Sequence, residues 1–277
     1  MDAQVPGGVY LCQVDEQISC GACCGLYNVA DVSLENLTSI LAGRSERFSR
    51  TARTVPSIDA FALQTQCLAP QQRPFAHLHH CPFIGLIGEG HGRVGCLLHP
   101  MAAGNHGVDY RGMSYYGGMA CRTYFCRTTK ALASRWKRIL RRVLNHWYLF
   151  GLLITEKELL SATFAHLESR LGRPLDPAAA VMNSASQRLR DLVSLKCRWP
   201  FRPFSHSTAC HYLFDDNAYP KPIVDYERLG VEPSVYDAIL REMPSAFESA
   251  KELRQAETLL EKYILAALEA LNECPAP

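Results

Sequence analysis

Cys20-Gly21-Ala22-Cys23-Cys24 puts three thiols within five residues, two of them adjacent, and a chain has few uses for such a turn other than holding a metal. The turn is followed by Cys81-Pro82-Phe83-Ile84, then Gly95-Cys96-Leu97-Leu98-His99, then Cys121-Arg122-Thr123-Tyr124-Phe125-Cys126. With Cys12 and Cys67, nine of the twelve cysteines fall in the first 126 residues. A chain of 277 residues has ample apolar material for a core and does not need disulfide staples. Its first residues lack the basic and apolar regions of a secretory signal, so the expected setting is cytoplasmic and reducing, where clustered thiols point to metal or redox chemistry.

Composition divides the chain near residue 127. No lysine precedes that point, and Gly, Cys, His and Pro punctuate short apolar runs; beyond it, helical periodicity dominates. The expected organisation is a cysteine-rich metal-binding domain over 1–127 and a helical domain over 128–277. The fold class expected is α+β, mostly α: an irregular, metal-organised N-terminal domain with one β-hairpin, then helices. A formal net charge of +2 argues against nucleic acid as a partner, and the longest apolar run, 147–154, is far too short to span a bilayer. A protein or a small-molecule substrate remains the open partner class.

In the first domain, Leu34, Leu37, Ile40 and Leu41 predict a helix over 34–49 capped by Asp31 or Ser33. Two short strands flank Gly88-Glu89-Gly90-His91-Gly92-Arg93, so that the hairpin carries Cys81 and Cys96 to one end. The stretch 101–119 is too glycine-rich for regular structure and delivers Cys121. In the second domain, 131–153 reads as one helix whose basic side, Arg135, Lys137, Arg138, Arg141 and Arg142, opposes an apolar face. Thr155 to Glu158 fits a capping box opening a helix to 170, Asp176-Pro177 and Pro233 mark two more, and 246–271 is a last amphipathic helix.

Spacing narrows the chemistry. Cys-x-x-Cys lets two sulfurs of one tight turn reach a single ion, but the neighbouring side chains of Cys23 and Cys24 diverge, which suits a polynuclear cluster or two adjoining sites better than one ion. His77, His79, His80 and His99 lie close enough in sequence to complete a mixed Cys/His site, and Arg122 to offset its negative charge. Cys67, Cys197, Cys210 and Cys274 stand alone and read as ordinary thiols.

The ordered set Cys-Gly-x-Cys-Cys, Cys-Pro-Phe-Ile, Gly-Cys-x-x-His and Cys-Arg-x-Tyr resembles the CxxCxxCC (YkgJ-like) cysteine-cluster family of zinc- or iron-chelating proteins, over residues 12–126. The resemblance implies metal ligation by Cys20, Cys23, Cys24, Cys81, Cys96 and Cys121. The family's first cysteine falls at Gln17, with Cys12 the nearest substitute, and Gly117-Gly118 stands where the family places Arg-Pro, which makes Cys126 a replacement ligand. The expectation is thus a metal-binding protein of bacterial type holding an iron–sulfur cluster, with a redox or modifying role. The alternative is a structural zinc module whose helical half mediates protein interactions. No catalytic constellation is legible.

Overall fold

The computed structural model describes residues 5–68, 73–75, 78–203 and 223–273. His77, Cys210 and Cys274 lie outside them. The architecture is mostly helical with one two-stranded antiparallel sheet, as α+β, mostly α, requires. Two compact units are formed: one from 10–126 with 145–154, the other from the first nine residues, 127–144 and 155 onward.

The cysteine-bearing unit has an apolar core of its own. Helix α1 (Leu34–Ser49) begins at Ser33, whose Oγ accepts the Asn36 amide at 3.3 Å, and buries Leu37, Leu41 and Phe48 at helical spacing. Leu34 stays exposed. Helix α2 (Val55–Leu68) was not expected; it buries Ile58, Phe61 and Thr65. The hairpin pairs β1 (Ile84–Ile87) with β2 (Arg93–Cys96) in the register Ile84 to Cys96, across the glycine-rich turn read from sequence. Phe48, Phe61 and Phe83 form a triad with ring centroids 5.0 to 6.3 Å apart, and Ile58, Leu97 and Leu98 complete the cluster. Cys81 is part of this cluster, with Cys24 and Cys96 packed against it. Ser45 ties α1 to the sheet, donating to Leu86 O and accepting its amide, both at 2.8 Å. The stretch after β2 runs through turns into α3 (Gly117–Thr123), so the glycine-rich segment ends in a short helix where none was expected.

The single helix expected over 131–153 is three: α4 (Arg127–Ala131), α5 (Ser134–Val143) and α6 (Trp147–Ile154). The backbone is extended at Ala133 (ψ 134°) and Leu144 (ψ 140°), and no Gly or Pro marks either break. Helix α6 is buried along nearly its whole length and belongs to the cysteine-bearing unit, where it packs against the Ala22–Cys24 turn. Lys137, expected on the exposed basic side of α5, is buried instead; its ammonium donates to Thr129 O at 2.9 Å and Pro6 O at 3.0 Å. Those carbonyls offset the cost of burying the charge.

In the helical unit, α7 (Lys157–Leu171), α8 (Asn183–Val193), α9 (Tyr226–Leu229), α10 (Asp237–Glu242) and α11 (Ala250–Asn272) follow. Helix α11 packs on α8 and α7, and α10 on α7. The capping box expected at Thr155 gives way to a buried ion pair, Glu156 to Lys196 at 2.7 Å, immediately before α7. Pro233 precedes α10 rather than lying in a first helical turn.

Glu168 of α7 accepts from Arg135 Nε and Nη2 at 2.6 Å, from Trp136 Nε1 at 2.9 Å and from the Leu175 amide at 2.9 Å. The Arg135 contact, with the other donors, holds its carboxyl down to about 2. A depressed carboxylate contributes stability that is present above the unfolded value near 4.5 and is lost as pH falls towards 2. Thermal melts should show the helical unit losing stability across that window. Glu168→Gln should flatten the dependence and cost about 1 to 2 kcal/mol at neutral pH, Arg135 being partly exposed. An unchanged pH profile in the variant would remove Glu168 from the account.

Candidate metal centre

The cysteine turn is built from backbone outward. Gln13 and Ser19 form an antiparallel bridge, Asp15 Oδ1 accepts the Gln17 and Ile18 amides at 2.8 Å, and the Cys20 amide donates to Cys12 O at 2.8 Å. Cys12 and Cys20 thus stand across from each other on a short two-stranded loop. A 3-10 turn, Ala22–Cys24, follows and closes on Gly25 in the left-handed region at φ 76°. A Cβ on Gly21 would fall 2.4 Å from Ile84 Cδ1, and one on Gly25 only 2.2 Å from His79 O. The hairpin on one side and the 79–81 segment on the other therefore press against the turn, and the Cys81 amide donates to Cys24 O at 2.8 Å.

Gly25→Ala combines a left-handed backbone with a backbone clash and should cost roughly 2 kcal/mol or more. Gly43→Ala, inside α1 with its nearest neighbour at 3.5 Å, should instead be neutral or stabilising by about 0.5 to 1 kcal/mol. Denaturant midpoints of the two variants check this, and equal effects would contradict it.

The thiols hydrogen-bond and sense one another. The Cys23, Cys24 and Cys81 thiols act on one another, which pushes Cys24 well up and draws Cys23 down. Cys81 falls to about 5: the Cys24 thiol is the chief cause, with His79 and the Phe83 amide adding to it against the cost of burial. Burial raises Cys12 and Cys96 to about 12; Cys12 also feels Cys23 and Cys126, and Cys96 feels Cys81 and Cys121. Cys20, raised chiefly by burial, feels Cys126, Cys23 and Cys12. Cys121, on α3, sits with its sulfur 3.2 Å from Ser114 Oγ. Every cysteine singled out from the sequence as a ligand is thus near another of the set. Cys67, at the end of α2, and Cys197, in the helical unit, are not among these couplings.

The histidines divide by role. His80 is buried with Nε2 2.8 Å from Arg44 Nη2; since guanidinium only donates, the ring accepts there, and burial with the Arg44 charge lowers it to about 3. Arg44 also donates to Cys81 O at 3.3 Å, which fixes the segment entering β1. His99 Nδ1 accepts the Met101 amide at 3.1 Å and so caps a turn. His79 stacks on Tyr115 at 4.3 Å, with Tyr116 edge-on at 5.2 Å. Arg122 is held by Asp109, which it shares with Arg111; Arg111 Nη2 is 2.7 Å from that carboxylate, and the guanidinium pair keeps it well below the usual carboxylate range. This clamp, rather than a thiolate, takes up the Arg122 charge.

Among the described residues, no group of three or more His, Cys, Asp or Glu side chains is assembled closely enough to hold a metal ion. The sulfurs are gathered without forming a closed shell. By donor type they fit a thiophilic metal: soft ligands of one kind, most of them half-buried, three of them on a turn braced from both sides. No disulfide joins the described cysteines. No protein-family model matches the chain, nor does any curated protein or solved structure, so the resemblance to the CxxCxxCC family rests on its ordered cysteine motifs.

Proposed function

We propose that this chain is a metal-binding protein whose cysteine cluster holds an iron–sulfur centre in a reducing, cytoplasmic setting. One observation carries the reading: the Cys20–Cys24 turn is tied by backbone bonds to two other cysteines, the Cys81 amide donating to Cys24 O and the Cys20 amide to Cys12 O, both at 2.8 Å. A lone zinc ion takes four ligands, and the first 126 residues carry more cysteines than one such ion uses. Bound there, an iron–sulfur centre supplies one-electron chemistry.

The chain's own groups would serve it in named ways. Burial pushes the Cys12, Cys20 and Cys96 thiols up, so each must release a proton to ligate and metal uptake liberates protons. Tyr115 and Tyr116 pack on the His79 ring, two residues before Cys81. The Asp109 clamp fixes the segment that presents Cys121. No helix among the described residues is long and apolar enough to cross a membrane. A redox or modifying role on a protein or small-molecule substrate follows from this chemistry as a proposal.

Protein purified without oxygen is expected to show broad visible absorption that bleaches on chemical reduction. A colourless protein carrying stoichiometric zinc would overturn the iron–sulfur reading in favour of a structural zinc module.

A further inference from the structure

We infer that Cys24 and Cys81 are a modification site: a hydroperoxide oxidises the pair to a disulfide, which a dithiol reductant reverses. The inference needs two sulfurs and stands apart from the metal-binding reading, although a disulfide there withdraws two of its candidate ligands.

Backbone contacts bring the two residues within bonding range. The Cys81 amide donates to Cys24 O at 2.8 Å. A backbone bond of this kind places the two Cα atoms about 5.5 Å apart, inside the roughly 4.4 to 6.8 Å that disulfides span. Gly25 permits the approach, because a Cβ there would fall 2.2 Å from His79 O and 2.9 Å from His80 Cα. A side chain at that position would hold the turn away from the 79–81 segment. The partners of the contact are themselves fixed. Gly21 is seated against Ile84 and Val94 of the hairpin, and Arg44 donates to Cys81 O at 3.3 Å while its Nη2 lies 2.8 Å from His80 Nε2.

The side chains converge as the backbones do. Cys81 is a buried member of the apolar cluster around Phe83 and Cys24 packs against that cluster, so both side chains leave the backbone towards one core. The two thiols also act on one another, and both are free in this structure. A disulfide asks for a pair and no more, and among the described residues no three His, Cys, Asp or Glu side chains are close enough to hold a metal ion. Cys24 is half-buried and Cys81 is buried, so a peroxide meets Cys24 first. With hydrogen peroxide, the O–O bond breaks, the Cys24 sulfur takes one hydroxyl to become a sulfenic acid, and its proton leaves with the other hydroxyl as water. The Cys81 sulfur then attacks the Cys24 sulfur, the S–S bond forms, and the hydroxyl departs with the Cys81 proton as a second water. The two thiols lose two electrons and two protons, and the peroxide gains them.

Disulfide mapping of the full chain tests the inference. Any metal is removed with a chelator under reducing, oxygen-free conditions, the reductant is washed out, and a single equivalent of hydrogen peroxide is added. Remaining thiols are alkylated, and the unreduced peptides are sequenced by fragment-ion mass spectrometry. The Cys24–Cys81 link should be the most abundant disulfide, with about two thiols lost for each peroxide consumed, and dithiothreitol should erase it. Cys23→Ser should keep the link at wild-type yield, whereas Cys24→Ser should leave Cys81 reduced. A main link between Cys12 and Cys20, or between Cys23 and Cys81, would overturn the assignment, as would sulfenic or sulfinic acids without any disulfide. Should a variant fail to fold, the wild-type map decides alone. A chain that links Cys24 to Cys81 yet never takes iron or zinc would support the inference and overturn the metal-binding reading; one that loads metal but forms no link would do the reverse.

Discussion

Protein stripped of its metal is expected to be cut by trypsin at Arg111 and Arg122 at least on the order of ten times faster than the loaded form, with cleavage confined to the stretch between β2 and α4. Between 99 and 126, Asn105 is the one buried residue; its amide donates to Leu97 O and His99 O at 2.8 Å. Beyond it the segment is held by polar ties, the Asp109 clamp and the Ser114–Cys121 contact, which are worth little when solvated. Metal bonds to Cys121 and Cys126 would pin the C-terminal half of α3 and the stretch after it, and so close the segment. Helices α1 and α2 and the hairpin should resist in either state, because Phe48, Ile58, Phe61 and Phe83 form a core that needs no metal. Identical digestion of stripped and loaded protein would show that the cysteines do not organise this segment.

The second large effect is expected at the Cys23–Cys24 peptide. Cys23→Ala/Cys24→Ala removes two adjacent candidate ligands from the turn and should abolish metal binding, whereas Cys67→Ser and Cys197→Ser should leave metal per chain unchanged. Cys67 is exposed at the end of α2, and Cys197 lies in a 3-10 turn of the helical unit with its thiol raised by burial. Neither adjoins the braced turn. Metal lost equally from all three variants, read by elemental analysis, would mean that the ligand set is wrong.

Much of the fold was legible where one periodicity was backed by an end signal. Helix α1 follows from Leu37 and Leu41 behind Ser33, the hairpin from apolar runs around Gly88 to Arg93, and α11 from its long stripe, although it starts at Ala250 behind Ser249 rather than at 246. Helix α2 escaped notice because Ala62, Leu63 and Leu68 scatter apolar residues around the face that Ile58, Phe61 and Thr65 bury. Pro56 in its first turn was the available signal. The breaks at Ala133 and Leu144 leave no mark in composition, since each is an ordinary residue turned extended, and the burial of Lys137 depends on carbonyls of distant residues. At the candidate site, spacing identified the thiols and the divergence of Cys23 from Cys24. It could not reveal that Phe125 meets Tyr10, because that contact joins residues far apart in the chain. Nor could it distinguish Arg122 beside a thiolate from Arg122 held by Asp109.

The central claim, that these cysteines exist to hold an iron–sulfur centre, is tested most directly by the iron, zinc and acid-labile sulfide content of the full chain purified and analysed without oxygen. The account predicts iron and sulfide in near-equal amounts, several atoms of each per chain, with little zinc. Zinc without sulfide, or a chain free of metal whose thiols all titrate as reduced cysteine, would contradict it.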